Sequence, residues 1–317
     1  MTAPAPAPPR PNFLVIGAEK AGTTWAYSCL AHHPDIYVPD TKELHHFNRD
    51  DSNLKPRDHY KTREPGWYPS FFAGHRGETA IGEVTPMYLC DPEAPARIHA
   101  YEPGMKLIAI LREPAARAWS HHCMAKAKGH VAEPLDAILA RDPADERFLR
   151  RGEYARQLAA YDALFPKEQI LVLVFEEVMA DRAAALDEIA LFLGVEPQGF
   201  EGLDADRAEN AAGAYKSPVL NELGITTARF LRSQPALRGV AQLIKSSGAN
   251  AAFRRLNKTE QANPPLPPDL AARLRRRYAP DVAALEARLG RPITAWQPAP
   301  AVAETGAETG AETEATA

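Results

Sequence analysis

The sequence predicts an α/β protein: a P-loop-like parallel sheet flanked by helices, with a helical C-terminal portion. Three observations predict this fold. Short apolar runs rich in Val, Ile and Leu recur along the chain, helical patterns separate them, and a glycine-bounded loop follows the first run. Strands that alternate with helices in this way form parallel sheets covered on both faces. The four predicted strands span residues 13–16, 79–83, 106–111 and 169–175.

The helical patterns lie between and after these strands. A helix over residues 114–128 begins at a proline, and one over residues 180–193 is followed by Gly194, a residue typical of helix ends. The other predicted helices span residues 23–32, 92–101 and 153–165. Residues 204–290 lack a clear strand and contain Arg-rich helical stretches, which favours a helical cap or a small second unit.

Composition limits the domain organisation and the function classes. The chain has 317 residues, of which 45% are hydrophobic and 25% charged, as in ordinary globular proteins. We expect disorder at residues 1–10, which are rich in Pro and Ala, and at residues 299–317, a short acidic repeat. The remaining residues 11–298 are predicted to form one domain.

Charge and cysteine usage exclude several partners. The net charge of −4 gives no general argument for a nucleic-acid partner. Three widely separated cysteines suggest neither a disulfide framework nor a zinc site. No apolar run approaches the length of a membrane span, so we expect a cytoplasmic protein without one. The oligomeric state is left open.

The stretch FLVIGAEKAGTTW carries the strongest functional signal. Gly17 and Gly22 have the spacing of a phosphate-binding loop, but Thr23 follows where a P-loop nucleoside triphosphatase has its lysine. Lys20 lies inside the loop instead. Backbone N–H groups in such a loop and the following helix N-terminus suit a phosphate or sulfate-like anion. The predicted strand 106–111 is followed by Arg112 rather than by a magnesium-binding aspartate, which favours a metal-independent transfer of a less charged group.

Four motifs carry a family resemblance. EKAGTTW resembles the 5′-phosphosulfate loop of sulfotransferases that use 3′-phosphoadenosine 5′-phosphosulfate (PAPS), and LREPAARAWS resembles their 3′-phosphate element. AHHPDIYVPDTKELHHFN resembles the region that follows the loop in this family, and GEVTPMYL resembles the segment that carries the glutamate base of the glycan enzymes. Residues 114–118, PAARA, resemble the glycan (heparan-type) and bacterial branches. A P-loop kinase or nucleoside triphosphatase, and a non-catalytic nucleotide-binding protein, are the alternatives.

The resemblance implies PAPS as co-substrate and no required metal. It places the phosphosulfate at the loop, the adenine against Trp25 and the 3′-phosphate at Arg112 and Ser120, with Tyr215 and Lys216 closing over it. The donor-binding residues that it implies are Lys20, Ala21, Gly22, Thr23, Thr24, Trp25, Arg112, Ser120, Tyr215 and Lys216.

The resemblance also implies a mechanism. Lys20 stabilises the charge that develops on the departing phosphate, and Glu83 takes the proton of an acceptor hydroxyl or amine. A histidine is the competing base, with His46 the candidate and His45, His121 and His122 also near the motifs. Val84 stands where glycan enzymes often have a lysine, a charge that Lys42 could supply.

The acceptor is expected to be a glycan, a glycolipid or a small natural product. Its pocket would come from the loops between the predicted elements, and several aromatic residues there could line it or could belong to the core. These aromatic residues are Trp67, Tyr68, Phe71 and Phe72.

Overall fold

The computed structural model describes residues 10–49, 58–203 and 263–297. Within them, five parallel strands form one sheet in the order β2-β3-β1-β4-β5. The parallel α/β fold predicted from the sequence is confirmed. The strands are β1 (Phe13–Gly17), β2 (Ile36–Tyr37), β3 (Ala80–Val84), β4 (Lys106–Leu111) and β5 (Ile170–Val174).

The helices cover the sheet and extend the C-terminal part of the chain. Asp181 interrupts the helix predicted over residues 180–193, because its side chain accepts a hydrogen bond from the Ala184 amide and starts a new helix there. Gly194, with φ of 83°, ends that helix as predicted. The helices are α1 (Thr23–Leu30), α2 (His59–Thr62), α3 (Ala94–Tyr101), α4 (Pro114–Ala127), α5 (Leu135–Arg141), α6 (Tyr154–Asp162), α7 (Phe175–Ala180), α8 (Arg182–Leu193) and α9 (Pro268–Leu289).

The core lies on both faces of the sheet. Successive strand side chains point to opposite faces, so Leu14 and Ile16 of β1 pack with one cluster and Phe13 and Val15 with the other. All five residues of β1 are buried, as expected for a central strand between β3 and β4. The parallel pairing brings the carboxyl ends of β1, β3 and β4 to one edge, where α/β sheets place their ligands.

The C-terminal part of the chain packs back onto the domain through α9. Arg277 donates to the Pro143 carbonyl at 2.7 Å and pairs with Glu153 at 2.9 Å. The Trp296 indole donates to Glu176 at 2.7 Å. The helical C-terminal portion is therefore confirmed where the structure describes it. The expected disordered ends fall outside the described residues, apart from Arg10.

No helix in the described ranges is both long enough and apolar enough to cross a lipid bilayer.

Candidate active site

The loop between β1 and α1 has a conformation that its glycines make possible. A Cβ on Gly17 would lie 2.5 Å from the Cβ of Leu89, and one on Gly22 would lie 2.9 Å from the Phe175 ring. Gly22 also has φ of 81°, which L-residues rarely adopt. Lys20 is itself in the left-handed region, with φ of 72°. The strand–loop–helix order predicted from FLVIGAEKAGTTW is confirmed.

Lys20 is surrounded by other cations. Its ammonium contacts the Met124 sulfur at 3.6 Å and, among the described residues, is in an ion pair with no carboxylate. Burial lowers the pKa of Lys20, and the nearby Lys128, Arg112 and Lys42 lower it further, against the opposing effect of Glu19. A thioether is a weak acceptor. The site therefore has an excess of positive charge that an anionic ligand would balance.

Arg112 follows β4 and lies against the same loop. Its Nη1 donates to the Lys20 carbonyl at 3.3 Å, and its guanidinium carbon lies 5.1 Å from the centre of the Phe175 ring. Its buried Nε has no hydrogen-bond partner in the described structure. The Tyr154 hydroxyl donates to the Arg112 carbonyl at 2.8 Å and fixes the backbone there. An unpaired guanidinium N–H beside a phosphate-type loop fits a second phosphate group.

Two hydroxyl residues expected in the donor site, Thr23 and Ser120, are buried. Thr23 begins α1 directly after the loop, and Ser120 lies on α4 one turn before Met124, which contacts Lys20. The structure thus places the loop, Lys20 and Arg112 beside one another.

The structure does not show the expected donor contacts of Trp25, Tyr215 and Lys216. Trp25 is 2% exposed and packs in the core cluster on one face of the sheet, because α1 turns it inward. An adenine contact by Trp25 stays a prediction. Tyr215 and Lys216 lie outside the described residues.

An ion-pair network missed by sequence reasoning supports the loop. The carboxylate of Glu19 pairs with Arg151 at 2.6 Å and lies 3.5 Å from His121. Although burial raises the pKa of Glu19, His121, Arg151 and Arg117 lower it more, so the net shift is downward. Burial lowers the pKa of His121 to about 3. Arg151 comes from the turn before α6, so only the folded chain reveals this contact.

Glu83 lies in a sealed pocket, not at an accessible position. It is 1% exposed, and both carboxylate oxygens accept hydrogen bonds from hydroxyl groups. One oxygen accepts from Tyr68 at 2.9 Å and from Tyr88 at 2.6 Å, and the other accepts from Thr85 at 2.7 Å. Burial raises the pKa of Glu83, and these hydrogen bonds oppose the rise. An acceptor could not reach this carboxylate without displacing a hydroxyl.

An accessible carboxylate lies instead in residues 42–48, the KELHHFN stretch, which we call the 42–48 segment. Glu43 is 29% exposed and pairs with Lys42 at 3.2 Å and with His45 Nε2 at 3.4 Å. The other His45 nitrogen lies 3.2 Å from the Asn48 side-chain oxygen. The Asn48 nitrogen donates to the Arg49 carbonyl, which fixes the amide in this orientation. Glu43 therefore lies between the Lys42 ammonium and the His45 ring at the edge of the site.

His46 belongs to an aromatic cluster. Its ring stacks on Tyr68 with centroids 4.0 Å apart, and Phe47, Tyr60 and Trp67 surround it. Burial is the main cause that lowers the pKa of His46, to about 4. A histidine with so low a pKa is a weak base at neutral pH. The expectation that His46 is the catalytic base is therefore not supported by its setting.

The aromatic residues considered for the acceptor pocket divide into two groups. Tyr68 and Phe72 are 1% and 0% exposed and belong to the core. Trp67 and Phe71 are half-buried and pack edge to face at 5.0 Å. Arg63 lies over the Trp67 ring at 4.8 Å, so this face is already covered.

The comparisons with known proteins agree with the site. The family model described as "Sulfotransferase domain" matches residues 10–210. Human bifunctional heparan sulfate N-deacetylase/N-sulfotransferase 3 is 32% identical over 206 residues, which cover 59% of this chain and 22% of that protein. Human heparan sulfate glucosamine 3-O-sulfotransferase 6 is 30% identical over 190 residues, which cover 58% of this chain and 52% of that protein. The chain thus spans between about a fifth and a half of these relatives.

A solved structure extends the likeness over most of the chain. The crystal structure of a sulfotransferase from Alicyclobacillus acidocaldarius matches with a TM-score of 0.63 and 26% identity, covering 91% of this chain and 99% of that one.

Proposed function

The chain belongs to the sulfotransferase domain family, and we propose that it transfers a sulfuryl group from PAPS to a hydroxyl or amine of an acceptor. The observation that carries the proposal is the position of Arg112, whose guanidinium donates to the backbone carbonyl of Lys20, so that two cationic residues lie beside the glycine loop. Two cations on different elements suit a ligand that carries two anionic groups. Because the relatives are named for heparan sulfate, we further propose a glycan-like acceptor.

Each residue of the proposed site has its own role in the reaction. The loop and Lys20 would hold the phosphosulfate, and Arg112 with Ser120 would hold the 3′-phosphate. The acceptor oxygen or nitrogen forms a bond to sulfur, the sulfur–oxygen bond to the phosphate breaks, and 3′,5′-ADP leaves. The Lys20 ammonium stabilises the negative charge that grows on that departing oxygen. The acceptor proton must pass to a base.

We assign the base to Glu43 in place of Glu83. Glu83 is sealed beneath three hydroxyls, whereas Glu43 is partly exposed on the 42–48 segment. Its neighbour Lys42 is close enough to Lys20 to lower the pKa of that lysine, so the segment lies beside the donor loop. A base must be within hydrogen-bond reach of the proton it accepts, which favours the accessible carboxylate.

The experiment is a transfer screen with radiolabelled PAPS over glucosamine-containing oligosaccharides, glycolipids and phenols. Wild-type protein should label at least one acceptor class, and Lys20→Met should not. Binding of 3′,5′-ADP should raise the melting temperature, since ligand at about 100 times its Kd adds about 2.7 kcal/mol, whereas ATP with Mg²⁺ should not. Protection by ATP and Mg²⁺ alone, with no transfer to any acceptor, would refute the proposal.

The base assignment has its own matched pair of variants. Glu43→Gln should lower kcat by about 10²–10⁴, keep 3′,5′-ADP binding and remove the acidic limb of the pH–rate profile. Glu83→Gln should lower the melting temperature, because it breaks a buried hydrogen-bond network, and keep that limb. If the limb disappears in Glu83→Gln and remains in Glu43→Gln, the assignment returns to Glu83.

A further inference from the structure

The carboxylate of Glu83 is buried directly beneath the 42–48 segment. We infer that Glu83 is a positioning residue that holds Glu43 and His45 in place through two hydroxyl relays. In the first, the Leu44 amide donates to the Thr85 hydroxyl at 3.1 Å, and that hydroxyl donates to Glu83. In the second, the His46 amide donates to the Tyr88 hydroxyl at 3.0 Å, and that hydroxyl donates to Glu83. The inference rests on the proposed function where it concerns catalysis.

The two relays hold alternate residues of the segment. The amides of Leu44 and His46 are fixed from below, and the side chains of Glu43 and His45 come from the residues between and beside them. His45 has φ of 52°, an uncommon conformation that persists only when the surroundings enforce it. Anchoring the amide on each side of His45 supplies that enforcement.

The chemistry of a carboxylate sets the direction of both relays. The Thr85 and Tyr88 hydroxyls both direct their hydrogens at Glu83, which accepts them as a carboxylate. The lone pairs of the Thr85 and Tyr88 oxygens are then left to accept from the backbone amides. An amide side chain at position 83 would bring an N–H group to one of these hydroxyls and compete with the direction of that relay. A glutamine at position 83 would therefore have the shape of the glutamate but would not preserve both relays.

Tyr68 provides an internal comparison. Its hydroxyl donates to the same Glu83 oxygen as Tyr88 does, at 2.9 Å, and both residues are almost fully buried. The Tyr68 hydroxyl, however, accepts no backbone amide of the 42–48 segment within the described structure. Removing the Tyr68 hydroxyl therefore removes only a hydrogen bond to Glu83, whereas removing the Tyr88 hydroxyl also breaks a relay to the segment.

The test compares Tyr88→Phe with Tyr68→Phe, each of which removes one hydroxyl from the same carboxylate oxygen. Hydrogen exchange of residues 42–48 is measured by mass spectrometry, together with kcat and the Kd of 3′,5′-ADP. Tyr88→Phe should increase the exchange rate of residues 42–48 about tenfold and decrease kcat about tenfold, which corresponds to the free energy of about one net hydrogen bond. The Kd of 3′,5′-ADP should stay within about twofold of the wild-type value. Tyr68→Phe should lower the melting temperature similarly without either effect.

The first relay gives an independent pair. Thr85→Val removes the hydroxyl and should resemble Tyr88→Phe, whereas Thr85→Ser keeps it and should behave as wild type. If Thr85→Val does not fold, the Tyr88 and Tyr68 comparison still decides. Equal exchange and equal kcat in Tyr88→Phe and Tyr68→Phe would overturn the inference. Exchange that differs as expected in a protein that transfers sulfuryl to no acceptor would instead refute the proposed function and leave the positioning role standing.

Discussion

Replacing Arg151 by Met should destabilise the protein and loosen the donor loop. Arg151 comes from the turn before α6 and pairs with Glu19, the residue next to Lys20, at 2.6 Å. Methionine keeps most of the aliphatic length of arginine and removes its charge and donors. The carboxylate of Glu19 would then lose its guanidinium partner, and His121 at 3.5 Å would not replace it, because burial keeps that imidazole uncharged at neutral pH.

The expected magnitude lies between those of exposed and buried ion pairs. The side chains of Arg151 and Glu19 are 23% and 24% exposed. Breaking a buried pair costs about 3–5 kcal/mol, and an exposed pair contributes about 0–1 kcal/mol. We therefore expect a loss of about 2 kcal/mol in unfolding free energy, and a decrease in melting temperature of roughly 4–8 °C for a domain of this size.

Denaturant unfolding at several pH values measures the loss. The folded pKa of Glu19 lies below its unfolded value, so the pair contributes stability above the unfolded pKa of about 4.3, and this stability is lost as the pH falls through the folded pKa. The difference between wild type and Arg151→Met should therefore shrink below about pH 4. In a double-mutant cycle with Glu19→Gln, the two effects should couple. A difference independent of pH, with additive single effects, would refute the reasoning.

Three further predictions concern the cations and the stacked histidine. Lys20→Met should reduce kcat by at least about 10²-fold and change the Kd of 3′,5′-ADP much less, because Lys20 acts on developing charge; near-normal turnover would remove it from the mechanism. Arg112→Ala should weaken 3′,5′-ADP by about tenfold or more but affect 5′-AMP little, and equal losses in calorimetry would show that Arg112 does not contact the 3′-phosphate. Because the folded pKa of His46 is about 4, below the unfolded 6.5, the stability present above pH 6.5 should fall as the pH drops toward 4. His46→Phe should reduce that fall by about 2 kcal/mol, allowing for partial exposure of the ring; an unchanged pH dependence of unfolding would contradict the value.

The sequence allowed most of the sheet to be predicted, because central parallel strands are continuous apolar runs. The strand predicted at residues 106–111 matches β4, and the other three differ by one residue at one or both ends. The edge strand β2 has only two residues, Ile36 and Tyr37, and no pattern of that length is informative. Helix α5 was missed for a similar reason, since seven residues carry little periodicity.

The proximity of Lys20 and Arg112 was predictable, and the surroundings of the candidate bases were not. Lys20 and Arg112 lie at strand ends, so local pattern and parallel pairing are enough to bring them together. The setting of Glu83 depends on hydroxyls from residues 68, 85 and 88, and that of Glu19 on Arg151. These contacts join distant parts of the chain or depend on side-chain direction, so spacing along the sequence does not encode them.

The position of β1 at the centre of the sheet has a consequence for altering the protein. Its loop faces β4 and Arg112 on one side and β3 with the 42–48 segment on the other. The proposed nucleotide side, with Arg112, and the proposed acceptor side, with the 42–48 segment, meet at Lys20. The two sides are built from different stretches of the chain. A chimera that exchanges residues 36–91 with those of a family member of different specificity should therefore inherit the new acceptor and keep its own nucleotide affinity. Evolution could in the same way change the acceptor side while the nucleotide side stays constant.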